Sequence, residues 1–309
     1  MINELRIGIV GYDHLQEKII NALSRYTFVK VVGATEIAKD NEKAIYDKGV
    51  LIYKDLDSLI ENEDPNILSV CSILETRYRI VKNAIDSKLN VMFEEPLTLN
   101  TNEIYDFKKI LNNIDNILVV PINDIYYHPV LLDMLSYIYE NEIGLPVSIN
   151  FKRSVWIKEN IDLLYLLTGA IHFARKVFNS EAIEVHSSTT LDKNYSVINL
   201  SFKNNTIANI NLSVSHIIND ENKRDDVFID VIGTDGIIIS RPSENIVFLQ
   251  TKNKIERVPW LENNISNFIK LFIESLLGNR EYKTKLLNIM DEMRLIETIE
   301  LLTKSKNTI

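Results

Sequence analysis

Two adjacent carboxylates and a proline, Glu94-Glu95-Pro96, close the apolar run Asn90-Val-Met-Phe93. If that run is a buried parallel strand, its C-terminal end lies at the sheet edge where α/β folds bind ligands. In a partly desolvated place there, one carboxyl beside another keeps its proton and can act as a general acid. The bland reading of the pair is a solvated strand end. A second segment with chemistry is Gly11-Tyr12-Asp13-His14-Leu15-Gln16, which follows the run Leu5–Val10. It occupies the place of the G-x-G-x-x-G turn that cradles a dinucleotide's pyrophosphate, with only the first glycine present. Asp13 brings a carboxylate toward that doubly negative group, an opposition of about 4 kcal/mol at about 4 Å and an effective dielectric of about 20. His14 offsets part of it. Asp13 followed by Gln16 also has the form of a capping box, in which the helix satisfies its own first amides. Glu36, at the end of the second apolar run, stands where an acid accepts ribose hydroxyls and favours NAD over NADP.

Further along, Tyr126 and Tyr127 are candidate proton donors at a junction, or packed rings whose hydroxyls reach water. His172 sits between Ile171 and Phe173 on an apolar helical stretch, where a lone histidine is usually a core residue with one satisfied nitrogen. Trp156 can wall a cleft or simply pack. Cys71 is the only cysteine and lies in an apolar run, so it reads as a small core residue with no disulfide framework. His14, His128, His186 and His216 lack metal-ligand spacing, and no metal is expected.

The elements that must position these residues follow from periodicity. Five runs of strand character, Leu5–Val10, Val29–Ala34, Ile67–Ile73, Asn90–Phe93 and Ile117–Val120, alternate with helical faces such as Leu15, Ile19, Ile20 and Leu23. Nearly continuous apolar strands are covered on both faces, so residues 1–121 predict a doubly wound Rossmann-type parallel sheet. After Pro121 the pattern changes. A helix over Pro129–Tyr139, a strand over Val147–Lys152, a helix over Ile161–Phe178 and then strands joined by tight turns predict an α+β domain, 122–309, with a mostly antiparallel open sheet. Helices near Leu261–Leu277 and Leu287–Leu302 close the chain.

With 309 residues the chain has room for two domains, and 46% hydrophobic with 25% charged residues is the composition of a soluble globular protein. A net charge of −9 argues against nucleic acid as a partner. No stretch resembles a membrane span or a signal peptide, so the cytoplasm is the expected location. Only 9 glycines are present, where average usage would give roughly 22.

Several segments taken together resemble one family. Arg6-Ile-Gly-Ile-Val-Gly11, Asn90-Val-Met-Phe-Glu94-Glu95-Pro96, Tyr127-His-Pro129, Glu142-Ile-Gly-Leu-Pro-Val147, Ile232-Gly-Thr-Asp-Gly236 and Met290-Asp-Glu-Met occur in the order found in the glucose-fructose oxidoreductase and inositol dehydrogenase (Gfo/Idh/MocA) family. The resemblance implies a two-domain NAD(P)-dependent oxidoreductase acting on a small molecule. It implies that Gly11, Tyr12, Asp13, His14, Glu36, Ser72 and Glu94 hold the cofactor, and that Tyr127, Trp156 and Thr168 contact the substrate. Glu95 stands where the family has its catalytic lysine, Thr168-x-x-x-His172 where it has Asp-x-x-x-His, Arg77 at a frequent histidine and Ile73 at a proline. Without the lysine, oxidation of a sugar alcohol lacks its base. Members similar to biliverdin reductase or thiazolinyl imine reductase also lack it and reduce C=N or conjugated systems. The expectation is therefore a reductase of an imine-, enone- or carbonyl-type substrate, with Glu95, Tyr126 and His172 as proton donors; the alternative is an inactive member that binds a ligand or stabilises a partner. The family also implies a homodimer or homotetramer.

Overall fold

Strands that are apolar on both sides must be covered on both sides, and the first part of the chain does this with helices. The computed structural model describes residues 4–111, 117–157, 163–192, 194–216, 224–244, 246–251, 255–259 and 264–305. Strands β1 (Leu5–Val10), β2 (Val29–Thr35), β3 (Leu51–Ile52), β4 (Ile67–Val70), β5 (Asn90–Glu94) and β6 (Val119–Ile122) form one parallel sheet in the order β3-β2-β1-β4-β5-β6. Helices α1 (His14–Leu23), α2 (Lys39–Tyr46), α3 (Leu56–Glu63), α4 (Leu74–Asp86) and α5 (Thr101–Leu111) connect them. The strand order reverses between β1 and β4, which opens a crevice at the C-terminal ends of those strands. The run expected as Ile67–Ile73 stops at Val70, because Ile73 is already the N-cap of α4 and is 67% exposed. The two-residue β3 is too short to leave a periodic signature.

Val91, Met92 and Phe93 are all fully buried in β5. Phe93 sits in a cluster with Val10, Leu68, Ile80, Ala84 and Phe107, so that truncating it to alanine would cost about 3–5 kcal/mol. Ile289, Met293 and Ile296 from near the C-terminus join the same cluster. Accordingly the chain groups into Met1–Ile122 with Phe268–Ile296, and Asn123–Asn267 with Glu297–Ile309. The return of Phe268–Ile296 to the first group leaves no local signature, since a helical apolar stripe does not say which core it will join.

In the second unit, α6 (Pro129–Tyr139) leads into β7 (Pro146–Ile157) and α7 (Leu163–Phe178). Seven strands follow: β8 (Ala182–Thr189), β9 (Tyr195–Phe202), β10 (Ile207–His216), β11 (Arg224–Gly233), β12 (Gly236–Arg241), β13 (Ile246–Thr251) and β14 (Ile255–Pro259). Helices α8 (Asn264–Leu276), α9 (Arg280–Lys285) and α10 (Ile289–Ser305) complete the described chain. The sheet order is β14-β13-β12-β11-β7-β10-β9-β8, antiparallel except for the β7–β10 pair. Positions 161–162 and 261–263 of the expected helices lie outside the described residues.

The central strand β7 runs five residues beyond the expected Val147–Lys152. Ile149, Phe151, Arg153 and Val155 point inward, and the buried Arg153 hides the alternation from a sequence reading. Its charge is carried by Asp225, through bonds from Nε at 3.0 Å and Nη2 at 2.6 Å, and by Asp124 at 3.3 Å. A buried charge matched this closely can occupy a position that an apolar residue would otherwise fill. Helix α7 buries Leu167, Ala170, Ile171 and Phe173 against β7 and β10, with Phe178 edge-on to Phe202 at 5.0 Å. Among the described residues no helix is long and apolar enough to cross a membrane.

Candidate functional site

In the first unit the predicted residues gather at the C-terminal ends of β1, β2, β4 and β5. Gly11 has φ +77°, its amide donates to Thr35 O at 3.0 Å, and a Cβ on it would lie 2.2 Å from the carbonyl oxygen of Cys71. Backbone angle and close approach both demand glycine there. Asp13 is the N-cap of α1, and its Oδ1 accepts from Gln16 N at 2.8 Å. The capping box is only half formed, however. Gln16 does not reach back to Asp13; it is fully buried, and its Oε1 accepts from Ser69 Oγ at 3.0 Å. Gln16 takes a buried place beside Ile19, Ile20 and Leu23, whereas Leu15 is only half-buried.

The end of β5 is organised by a cation. Arg77, 1% exposed, donates to Ser72 O at 2.6 Å, to Pro96 O at 2.7 Å and to the Glu94 carboxylate. It therefore ties β4's exit to β5's exit. Glu95, next in the chain and joined to Pro96 by a cis peptide, is 4% exposed. The solvated reading of the glutamate pair thus fails for Glu95. Glu292 on α10 completes the cluster: it is fully buried, and its Oε1 accepts from Leu97 N at 2.5 Å. Burial first, and then the charge of Glu95, push the Glu292 carboxyl well above the ordinary carboxylate range, against the opposing pull of the Leu97 amide and Arg77.

Glu36 follows β2 with φ +54° and pairs with Arg79 at 3.5 Å, both partly exposed. Cys71 is buried at the centre of these groups, and burial, then the charges of Asp13 and Glu94, push its thiol up, so it is inert. Whether a dinucleotide suits this edge is tested by what the fold leaves unsatisfied. The hydroxyls of Thr35 and Ser72 are buried without hydrogen-bond partners among the described residues, and Asp13 takes only one amide of the first turn of α1. Buried hydroxyls at the crevice and free helix-start amides fit such a ligand; the Asp13 carboxylate is the one discordant group.

The second unit holds the remaining predicted residues. Asn123, 5% exposed, accepts from Ile125 N at 3.1 Å and Tyr126 N at 2.8 Å, and donates to Thr168 Oγ1 at 2.9 Å. Thr168 Oγ1 donates in turn to Tyr165 O at 3.2 Å, so its proton is already engaged. This network brings the start of the unit to α7, where the Tyr126 ring meets His172 edge-on at 6.2 Å and Tyr127 at 5.1 Å. Tyr126, Tyr127 and His172 are 3%, 0% and 0% exposed, which rules out a Tyr127 hydroxyl open to water. Trp156 is half-buried near the end of β7.

Sequence reasoning missed Glu292, Asn123 and the role of Arg77. For Glu292 a signal existed: it falls one turn from Ile289 and Ile296, beside Met293, on the apolar stripe of α10 where a carboxylate does not belong.

Residues 5–121 match the model of the Gfo/Idh/MocA family, described as an oxidoreductase family with an NAD-binding Rossmann fold. An uncharacterised oxidoreductase of Bacillus subtilis strain 168, YrbE, is 22% identical over 256 residues, covering 76% of this chain and 73% of the relative. Among solved structures, the UDP-N-acetylglucosamine 3-dehydrogenase GnnA of Acidithiobacillus ferrooxidans superposes with a TM-score of 0.80 at 16% identity, covering 99% of this chain and 98% of that one. The scyllo-inositol dehydrogenase of Lactobacillus casei, solved with NAD(H) and scyllo-inositol, gives 0.78 at 16% identity with the same coverage. At these identities the structures share the fold.

Proposed function

Starting from a chain that belongs to the Gfo/Idh/MocA oxidoreductase family, we propose an atypical NAD(P)-dependent reductase of a small imine-, enone- or carbonyl-type substrate. The observation that carries this reading is the burial of Glu95, a carboxyl at the C-terminal end of β5 where the family resemblance puts a proton-transfer lysine. A buried acid donates to nitrogen, carbon or oxygen, whereas oxidation of an alcohol asks for a base.

The nicotinamide, when bound, supplies the hydride. Gly11 and Tyr12 and the amide of His14 form the turn that would take the pyrophosphate, and Ser72 offers a hydroxyl that has no partner among the described residues. Glu36 would accept ribose hydroxyls and favour NAD, with Arg79 beside it balancing part of its charge. Arg77 holds Glu94 in place at the strand end, and Glu95 delivers the proton. In the second unit Tyr126 and His172 are the further candidate donors, and Tyr127, Trp156 and Thr168 the candidate substrate contacts. The open face of the eight-stranded sheet, with Ile207, Ile232 and Phe248 exposed, suits assembly as a homodimer or homotetramer.

A second reading, a family member that binds a ligand or stabilises a partner without catalysis, is favoured by the first turn of α1, where Asp13 and Gln16 serve the fold. Titration with NADH and NADPH, followed by energy transfer from Trp156 and Trp260 (the latter outside the described residues), separates the two. Saturable binding with tighter NADH is expected; no binding at millimolar cofactor would overturn the reductase. Given turnover, Glu95→Gln should lower kcat by about a hundredfold and leave NADH affinity unchanged.

A further inference from the structure

The buried carboxyl on α10 is unused by the function just described, and its surroundings give it one. A carboxylate oxygen of Glu292 lies within 4.8 Å of one of Glu95. Neither side chain is open to solvent, at 0% and 4% exposure. Arg77, the cation beside Glu94, has its terminal nitrogens committed to Ser72 O, Pro96 O and the carboxylate of Glu94. Glu292 Oε1 is fixed by the amide of Leu97 at 2.5 Å, while its Oε2 is buried without a hydrogen-bond partner among the described residues. Asp291 beside it caps the start of its own helix, accepting from Asn288 N at 3.0 Å, and adds negative charge to the neighbourhood.

Two carboxylates this close and this dry do not both ionise, so one proton stays with the pair. We propose that Glu292 is the proton-bearing partner of Glu95, the two side chains forming an acid pair that holds one proton in common. The amide at Oε1 stabilises that oxygen as an acceptor and leaves Oε2 to carry the hydrogen. Burial and the charge of Glu95, which raise the proton affinity of the Glu292 carboxyl, support the same assignment. This deepens the reading of Glu95 as the acid of the reaction and rests on it for its use. When Glu95 serves as the acid, the O–H bond at Glu292 Oε2 breaks, an O–H bond forms on the Glu95 carboxylate, and Glu95 gives that one proton to the product. The pair is then doubly negative, a costly state that draws one proton back from solvent hydronium and restores the single negative charge. Glu292 is thus a positioning residue that acts through Glu95.

The test is infrared spectroscopy of the full-length protein at pH 7, without cofactor or substrate. A carbonyl stretch of a protonated carboxylic acid is expected, shifting in deuterated water, lost in Glu292→Gln and displaced in Glu95→Gln. Absence of the band, its survival in Glu292→Gln, or an unmoved band in Glu95→Gln would each overturn the pair. Glu292→Gln keeps an acceptor for Leu97 N; should it fail to fold, labelling the wild-type glutamates with carbon-13 must shift the band and Glu95→Gln must still displace it. In the turnover assay Glu292→Gln should lower kcat about tenfold with the KM for NADH unchanged; an unchanged kcat overturns the resupply role. Full turnover in Glu95→Gln alongside an intact, displaced band would instead break the donor reading of Glu95 and support the shared proton.

Discussion

The ends of β1 and β5 depart from the same family pattern in opposite ways. After β1, the two residues at former glycine positions are absorbed by the fold: Asp13 caps α1 and Gln16 binds Ser69 in the core. After β5, Glu95, where the resemblance implies a lysine, joins Arg77, Glu94 and Glu292 in a buried cluster that among the described residues retains unspent hydrogen-bonding capacity at Arg77 Nε and Glu292 Oε2. A changed motif residue that finds a local partner reads as structure. One held buried among other charges, at a continuing cost in desolvation, reads as a site.

The sharpest way to break this contrast is Arg77→Met, which strands Glu94 beside two buried acids. It should cost about 3–5 kcal/mol in urea denaturation. Gly11→Ala tests the one part of the β1 turn that remains strict: with φ +77° and a Cβ 2.2 Å from Cys71 O, it should cost about 3 kcal/mol and abolish NADH binding.

A comparison of caps sharpens the picture of Asp13. His128 caps α6 with a neutral imidazole, its Nδ1 accepting from Val130 N at 3.3 Å, and burial pushes its pKa down to about 4 despite the opposing charge of Asp124. Between pH 6.5, where the unfolded histidine titrates, and about 4, the unfolded chain binds the extra proton. Stability therefore falls as pH is lowered through that window, by about 3 kcal/mol, and His128→Asn should remove this dependence while keeping a cap. The smallest stability effect belongs to Asp13. Asp13→Ala should cost about 1 kcal/mol through the lost cap, whereas Asp13→Asn keeps the cap, leaves the melting temperature nearly unchanged and tightens NADH about tenfold by removing the charge.

Much of the fold was legible because its signals are local. β1 and α6 begin and end where periodicity and proline put them. β7 was cut short because its inward Arg153 looks like a surface residue until Asp124 and Asp225 are known to be there. The gathering of the candidate residues was legible in part. Gly11, Glu36, Ser72, Glu94 and Glu95 collect at one edge because residues that follow parallel strands must. Tyr126 and His172 meet only because Asn123 pins the start of the second unit to Thr168 on α7, a contact between residues 45 apart in the chain.

What the sequence determined alone is the strand-and-helix alternation, the parallel sheet and the family resemblance, all of which rest on repeat patterns within a few residues. What tertiary structure decided is which charges are buried together. Glu292 lies 195 residues from Leu97, and only packing of α10 into the first core brings its carboxyl to that amide and to Glu95. Proton affinity depends on dielectric and neighbouring charge, and both are properties of the folded neighbourhood that no local pattern encodes.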